Sequence, residues 1–143
     1  MEKLKIHEQP GWCGPACMQV ITRDRGMTFS QSELGRMMGT TTEDGTNHIQ
    51  MFSGAQKLEL HPSMLEDATL EILTEFLPEN HIIVNWMDGT DEKNDGHYSY
   101  LDRIDKDKVH LRDTTMTRQE FNEKWYDFED GKRVNRWAMI VKK

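Results

Sequence analysis

Residues 8–21 read EQPGWCGPACMQVI and contain both cysteines of the 143-residue chain. Cys13 directly precedes the pair Gly14-Pro15, and proline is favoured at the first position of a helix. An apolar stripe with helical spacing follows, and Gly26 is expected to end the helix. Cys13 therefore lies at a predicted helix N-terminus, where backbone N–H groups and the helix dipole favour a thiolate. Since the thiolate is the attacking form of cysteine, Cys13 is a candidate nucleophile.

The two cysteines also admit inert, disulfide and metal-binding interpretations. Cys17 lies one turn after Cys13 and is predicted to be a core residue. The N-terminus is charged and lacks the apolar segment of a signal peptide, which predicts a cytoplasmic protein with reduced thiols and disfavours a disulfide. A zinc site formed by Cys13, Cys17 and His97 is an alternative, but one C-x3-C pair with a distant histidine is a weak metal pattern. We therefore predict no metal and no cofactor.

Composition limits the class of protein further. A mass of 16.8 kDa predicts a single domain over residues 1–143. The net charge of −7 argues against a general nucleic-acid binder, because neutralising phosphates requires a basic face. No apolar run approaches the roughly 20 residues of a membrane span, so we expect no membrane partner. Oligomeric state does not follow from these quantities.

Predicted helices fill the first half of the chain and predicted strands most of the second. Ser30 with Glu33 and Asn47 with Gln50 form capping boxes that begin two helices, and Asp67 is expected to cap another. Strands are predicted at 81–86, 97–104, 109–113 and 136–143, with a helix after Thr117 between the last two. The fold class is therefore α+β, with the N-terminal helices packed on one side of a C-terminal antiparallel sheet.

A thiol nucleophile needs a base, and position ranks His97 first among the six histidines. His97 follows a hydrophilic stretch and begins an alternating strand, while Asp113 ends the next strand. If the two strands pair through a turn near 105–108, His97 and Asp113 lie at the same end of the hairpin. An acid beside histidine fixes its tautomer and supports the imidazolium, so Cys13, His97 and Asp113 form a candidate triad. The other histidines of the folded chain are expected at the surface or at helix caps: His48, His61, His81 and His110.

Four stretches in this order resemble one known family. CGPACMQVI (13–21), GTNHIQMFSGAQKLEL (45–60), DGHYSYLDRIDKDKVHLRD (95–113) and TRQEFNEKW (117–125) are similar to motifs of the bacteriocin-processing, double-glycine peptidases of the papain-like cysteine peptidase superfamily. The resemblance extends over nearly the whole chain and is closest to free-standing relatives. It implies a papain-like fold and a cysteine peptidase that acts on a peptide or protein substrate.

The resemblance also implies a role for each site residue. Cys13 would attack the carbonyl of a peptide or related amide bond and form an acyl-enzyme, His97 would carry the proton, and Asp113 would orient His97. The family places an oxyanion glutamine six residues before the cysteine, where this chain has His7. We predict that Gln9 takes this role beside the Cys13 N–H, because a neutral amide donates a hydrogen bond at every pH.

Two other functions remain open at this stage. Phytochelatin synthases share the Cys-Gly-x-Ala helix start and a distal His and Asp, so acyl transfer is one alternative. A degenerate peptide-binding domain is the other. The acidic run at 88–95 is interpreted as a solvated loop that can rim a cleft and disfavour acidic substrates by steering.

Overall fold

The computed structural model describes residues 11–89 and 96–143. Within these ranges the helices are α1 (Cys13–Asp24), α2 (Gln31–Met38), α3 (His48–Lys57), α4 (Leu70–Phe76) and α5 (Arg118–Lys124). The strands are β1 (Ser63–Leu65), β2 (Asn80–Met87), β3 (Gly96–Ile104), β4 (Lys108–Leu111), β5 (Thr115–Thr117), β6 (Tyr126–Glu129), β7 (Lys132–Asn135) and β8 (Ala138–Lys142). None of these helices combines the length and the apolar character that crossing a bilayer requires.

Local capping chemistry sets where the helices begin. Ser30 and Asn47 each form the predicted capping box, so the expected starts of α2 and α3 are confirmed. The prediction that Asp67 caps α4 is wrong, because Thr69 takes this place and its hydroxyl accepts the N–H of Ile72 at 3.1 Å. Either side chain can cap a helix, and only the backbone path decides between them.

A six-stranded antiparallel sheet forms the centre of the fold, in the order β1-β8-β2-β3-β4-β5. A separate hairpin pairs β6 with β7. The predicted hairpin register is confirmed, since Leu101 pairs with Leu111 and Ile104 with Val109. This register brings the start of β3 to the residues that follow β4. The last strand in the chain, β8, lies between β1 and β2.

Helices cover both faces of this sheet, which corrects the expectation that they pack on one side. Helices α1 to α3 pack on the face that presents Ile83 and Met139. Helices α4 and α5 pack on the opposite face, which presents Ile82 and Ile140. The seven residues 81–87 of β2 are all buried, as expected of a strand with both faces covered. The α+β class and the antiparallel sheet are as predicted.

Candidate active site

Cys13 is the first residue of α1 and lies against β3. The residue before it, Trp12, occupies the N-cap position without a side-chain cap hydrogen bond. The Cys13 N–H is therefore one of the first-turn donors that no carbonyl of the helix accepts. The sulfur accepts the backbone N–H of Tyr98 at 3.4 Å. The thiol is partly exposed, so a substrate can reach it.

His97 joins the cysteine to an aspartate. It is the second residue of β3, the strand on which α1 packs. Its Nε2 lies 2.6 Å from Oδ2 of Asp113, just beyond the end of β4. The His97 side chain is also hydrogen-bonded to Cys13. Since Nε2 is engaged by Asp113, Nδ1 is the nitrogen left to face the sulfur. The structure thus brings together three residues that the sequence placed in one candidate triad.

The surroundings favour the charged forms of His97 and Asp113. Burial lowers the pKa of His97, but hydrogen bonds and charges from Asp113 and Cys13 outweigh it and raise this pKa to about 10. Burial raises the pKa of Asp113, but the hydrogen bond and positive charge of His97 lower it below its usual value. The geometry therefore favours an imidazolium held by a carboxylate at neutral pH.

Two residues that the sequence did not single out hold the triad in place. The Ser99 hydroxyl donates to the second oxygen of Asp113 at 2.9 Å. The indole N–H of Trp86 donates to the Ser99 hydroxyl at 2.9 Å, and its ring packs edge-on against His97. Ser99 is two residues after His97, so both side chains lie on the same face of β3. The spacing of two residues along a strand was the sequence feature from which a role for Ser99 could have been predicted.

Cys17 lies one turn below Cys13 and is fully buried. Burial raises the pKa of its thiol well above the usual value, and the negative charges of Cys13 and Asp113 add to this effect. A thiol in this environment stays protonated and belongs to the core that α1 forms with the sheet. The structure therefore separates a partly exposed sulfur at the triad from an inert one behind it.

The two candidates for the oxyanion side chain, Gln9 and His7, lie outside the described residues. So does most of the acidic run at 88–95, of which 88 and 89 alone are described. Of the two donors expected for the oxyanion, the Cys13 N–H is the one that lies within the described residues.

Two of the histidines expected at the surface or at helix caps are buried instead. His81 accepts or donates hydrogen bonds at both nitrogens, with Tyr100 at 2.7 Å and Asp24 at 2.9 Å. His48 stacks on Trp137 with ring centroids 4.3 Å apart. His81 can be buried at little cost because both of its ring nitrogens have hydrogen-bond partners, whereas His48 is buried by packing on Trp137 beside Asp127 and Glu129.

His48 also forms the one group of side chains in the described ranges that meets the spacing of a metal site. Its Nε2 lies 3.3 Å from Asp127 and its Nδ1 3.4 Å from Glu129. Each carboxylate faces a different ring nitrogen of His48. Because a metal ion takes one nitrogen of a histidine ring, these two separate contacts do not by themselves make a metal centre.

The pKa of His97 is raised and the pKa of His81 is lowered, and this difference gives a direct test of the site. At about pH 7.5, we expect the His97 ring to carry a proton on both nitrogens and the His81 ring to be neutral, because burial lowers the pKa of His81. Long-range ¹H–¹⁵N spectra of the imidazole nitrogens measure both states. The variant D113N should lower the pKa of His97 and leave that of His81 in place. A neutral His97 ring at pH 7 in the unmodified protein would contradict the charged pair.

Comparisons with known proteins agree with this geometry. The model of the Peptidase C39 family matches residues 4–128. A search of curated proteins finds no match to the chain. Among solved structures, the peptidase domain of Streptococcus ComA, a bi-functional ABC transporter, is similar with a TM-score of 0.75, 20% identity and 100% of each chain covered. A C39-like peptidase from Bacillus anthracis is similar with a TM-score of 0.74, 15% identity and coverage of 100% of this chain and 94% of that one. A double-glycine motif protease from an AMS/PCAT transporter, solved with its leader peptide, has a TM-score of 0.71, 14% identity and coverage of 99% and 95%.

Proposed function

The chain belongs to the peptidase C39 family and is a cysteine peptidase, and we propose that Cys13, His97 and Asp113 are its catalytic residues. The observation that supports this most directly is the unbroken path of contacts from sulfur to imidazole to carboxylate. The nucleophilic sulfur of Cys13 has a base beside it, and the base, His97, has an acid that orients its ring. We also propose that residues 1–143 act as one papain-like domain in the cytoplasm.

Each step of the proposed reaction follows from this geometry. The Cys13 thiolate attacks the carbonyl carbon of the scissile bond, and the oxygen develops negative charge near the Cys13 N–H and the side chain of Gln9. His97 then gives its proton to the leaving amine, which leaves an acyl-enzyme on sulfur. A water molecule, deprotonated by His97, attacks the acyl carbon and releases the second product. Asp113 holds the ring and stabilises its charged form throughout.

We propose a peptide as the substrate. The double-glycine motif protease from an AMS/PCAT transporter, which shares this fold, was solved in complex with the leader peptide, and Cys13 is partly exposed in the present structure. The intact triad argues against a degenerate binding domain. Acyl transfer would start from the same acyl-enzyme, and product analysis with an added acceptor thiol separates it from hydrolysis.

Brief alkylation is the experiment that tests the nucleophile. We expect iodoacetamide near neutral pH to modify Cys13 at least about tenfold faster than Cys17, because Cys13 is partly exposed beside a base, whereas Cys17 is a fully buried thiol of raised pKa. Mass mapping of peptides after short exposure reports both rates in one sample. The variant H97Q should slow the modification of Cys13 while leaving Cys17 unreactive. Equal rates at both sulfurs, or faster modification of Cys17, would show that the wrong cysteine was chosen.

A further inference from the structure

The side chain of Trp86 touches both the proposed base and the residue that supports its acid. Trp86 of β2 lies directly opposite His97 of β3, and Ser99 is the diagonal neighbour on the same face of the sheet. The edge of the indole packs against the His97 ring, with ring centroids 5.4 Å apart and an angle of 83° between the planes. At the same time the indole N–H reaches the Ser99 hydroxyl at 2.9 Å. The central strand β2 is therefore linked to the site through one side chain.

The chemistry of these groups fixes the direction of each hydrogen bond. An indole N–H can only donate, so the Ser99 oxygen must accept from Trp86. A hydroxyl has one proton, and the proton of Ser99 is then left for Asp113, whose Oδ1 lies 2.9 Å away. The other carboxylate oxygen of Asp113 lies 2.6 Å from Nε2 of His97. Donation thus runs from indole to hydroxyl to carboxylate, and Asp113 accepts at both of its oxygens.

Burial makes the orientation of the Ser99 hydroxyl depend on the indole. Ser99 is fully buried and Trp86 is 5% exposed, so bulk water does not replace either partner. Without the indole N–H, the hydroxyl is free to rotate and to turn its proton away from Asp113. A carboxylate held at one oxygen only is free to turn about its last torsion, because that torsion has broad minima. The hydrogen bond from Asp113 to His97 would then lose its fixed geometry.

From this arrangement, and resting on the proposed function, we propose that Trp86 is a positioning residue of the peptidase. Its N–H orients the Ser99 hydroxyl toward Asp113, and Asp113 in turn holds the ring of His97 for proton transfer. The described residues that line the cavity beside Cys13 include neither Trp86 nor Ser99. Trp86 therefore acts on the chemical step through other side chains, and does not act by contact with the substrate.

The first test measures the pKa of His97 in the variant W86F, which keeps an aromatic ring beside His97 and removes the N–H. We expect this pKa to fall by at least about half a unit, because a loosely held Asp113 supports the imidazolium less well. Long-range ¹H–¹⁵N spectra of the imidazole nitrogens give the value without any substrate. A rise in this pKa would show that Ser99 acts only by withdrawing charge from the carboxylate, and it would overturn the positioning role.

Turnover of p-nitrophenyl acetate, an activated ester without a peptide sequence, tests the same variant during the reaction. The initial burst reports acylation of Cys13, and the steady rate reports the attack of water with His97 as base. We expect W86F to retain the burst and to lower the steady rate about tenfold. A steady rate equal to that of the unmodified protein would contradict the inference.

The variant W125F is the matched control for loss of a buried indole. Trp125 belongs to the same hydrophobic cluster as Trp86, and its N–H donates to the carbonyl of Trp137 at 3.0 Å. W125F should therefore lower the free energy of unfolding and leave both the pKa of His97 and the steady rate per folded molecule unchanged. Equal effects of W86F and W125F on this pKa and this rate would show that Trp86 is a packing residue only.

A double-mutant cycle tests whether Trp86 acts through Ser99. S99A removes the hydroxyl and should lower the pKa of His97 at least as much as W86F does. In the S99A background W86F should cause no further fall, because the link that it breaks is already absent. Effects that simply add would show that Trp86 reaches His97 by another route, and the inference would be wrong.

Spectra of the indole N–H groups decide the question even if W86F fails to fold. In protein labelled with ¹⁵N-tryptophan, the Trp86 signal should move in S99A and in D113N, while the Trp125 signal should stay in place. An unmoved Trp86 signal in folded S99A protein overturns the inference. Failure of this kind leaves the proposed function standing, because labelling of Cys13 by iodoacetamide tests the nucleophile separately. If folded D113N protein keeps full turnover, the proposed role of Asp113 fails, and the inference fails with it.

Discussion

Replacing Cys13 with alanine is expected to abolish peptide cleavage, with turnover falling at least about 10⁴-fold. The reason is that no acyl-enzyme can form without the sulfur, whereas the remaining donors at the helix start retain only weak catalysis. Cleavage of a peptide substrate, followed by mass spectrometry of the products, measures the loss. The serine variant C13S should be nearly as inactive, because a hydroxyl at this place does not ionise near neutral pH.

Cys17 provides the matched control for this experiment. The variant C17A removes a sulfur one turn away in a fully buried position, so it should lower the free energy of unfolding and leave turnover per folded molecule nearly unchanged. Circular dichroism checks that both variants are folded. Substantial cleavage by folded C13A protein, or loss of cleavage in folded C17A protein, would contradict the assignment of Cys13.

Replacing Asp113 with asparagine is expected to lower turnover about a hundredfold or more while the fold is kept. The asparagine amide can present an N–H to Nε2 of His97, which favours the wrong tautomer, and it removes the charge that supports the imidazolium. The pKa of His97 should fall, because the Asp113 hydrogen bond is the strongest of the contacts that raise it. A pH profile of turnover therefore shifts as well as drops, which a purely structural defect would not produce.

Two other variants show how the loss of turnover in D113N compares with the effects of related substitutions. D102N makes the same chemical change at an exposed aspartate of β3 that is paired with Arg112, and should leave turnover near the unmodified level. S99A removes the second hydrogen bond to Asp113 and should give an intermediate loss. Unchanged turnover and an unchanged pH profile in folded D113N protein would show that another group orients His97.

The features that could be predicted from the sequence are those whose determinants are close together in the chain. Capping boxes of four residues marked the starts of α2 and α3. The hairpin of β3 and β4 followed from two alternating runs and a short link, and its register placed Asp113 beside His97. The candidate triad was therefore predictable once Cys13 had been placed at a helix start.

The features that could not be predicted depend on contacts between distant parts of the chain. Burial of His48 depends on Trp137 and on two acids of β6, which lie some eighty residues later. The cavity beside Cys13 likewise combines the 42–47 segment with β6. Strands β1 and β5 to β7 have three or four residues each, too few to show a period. Hydrophobic periodicity reports which face of an element is buried, and not which partner buries it.

The position of β8 between β1 and β2 has a consequence for the order of events during translation. All three proposed catalytic residues leave the ribosome before residues 138–142, yet β1 pairs only with β8 in the described sheet, and β2 needs β8 along one edge. A nascent chain that lacks β8 therefore has an open strand edge in the middle of its future sheet, which is a state prone to wrong pairing. We expect proteolytic competence to arise only after synthesis of this last strand, when the sheet beneath the site closes.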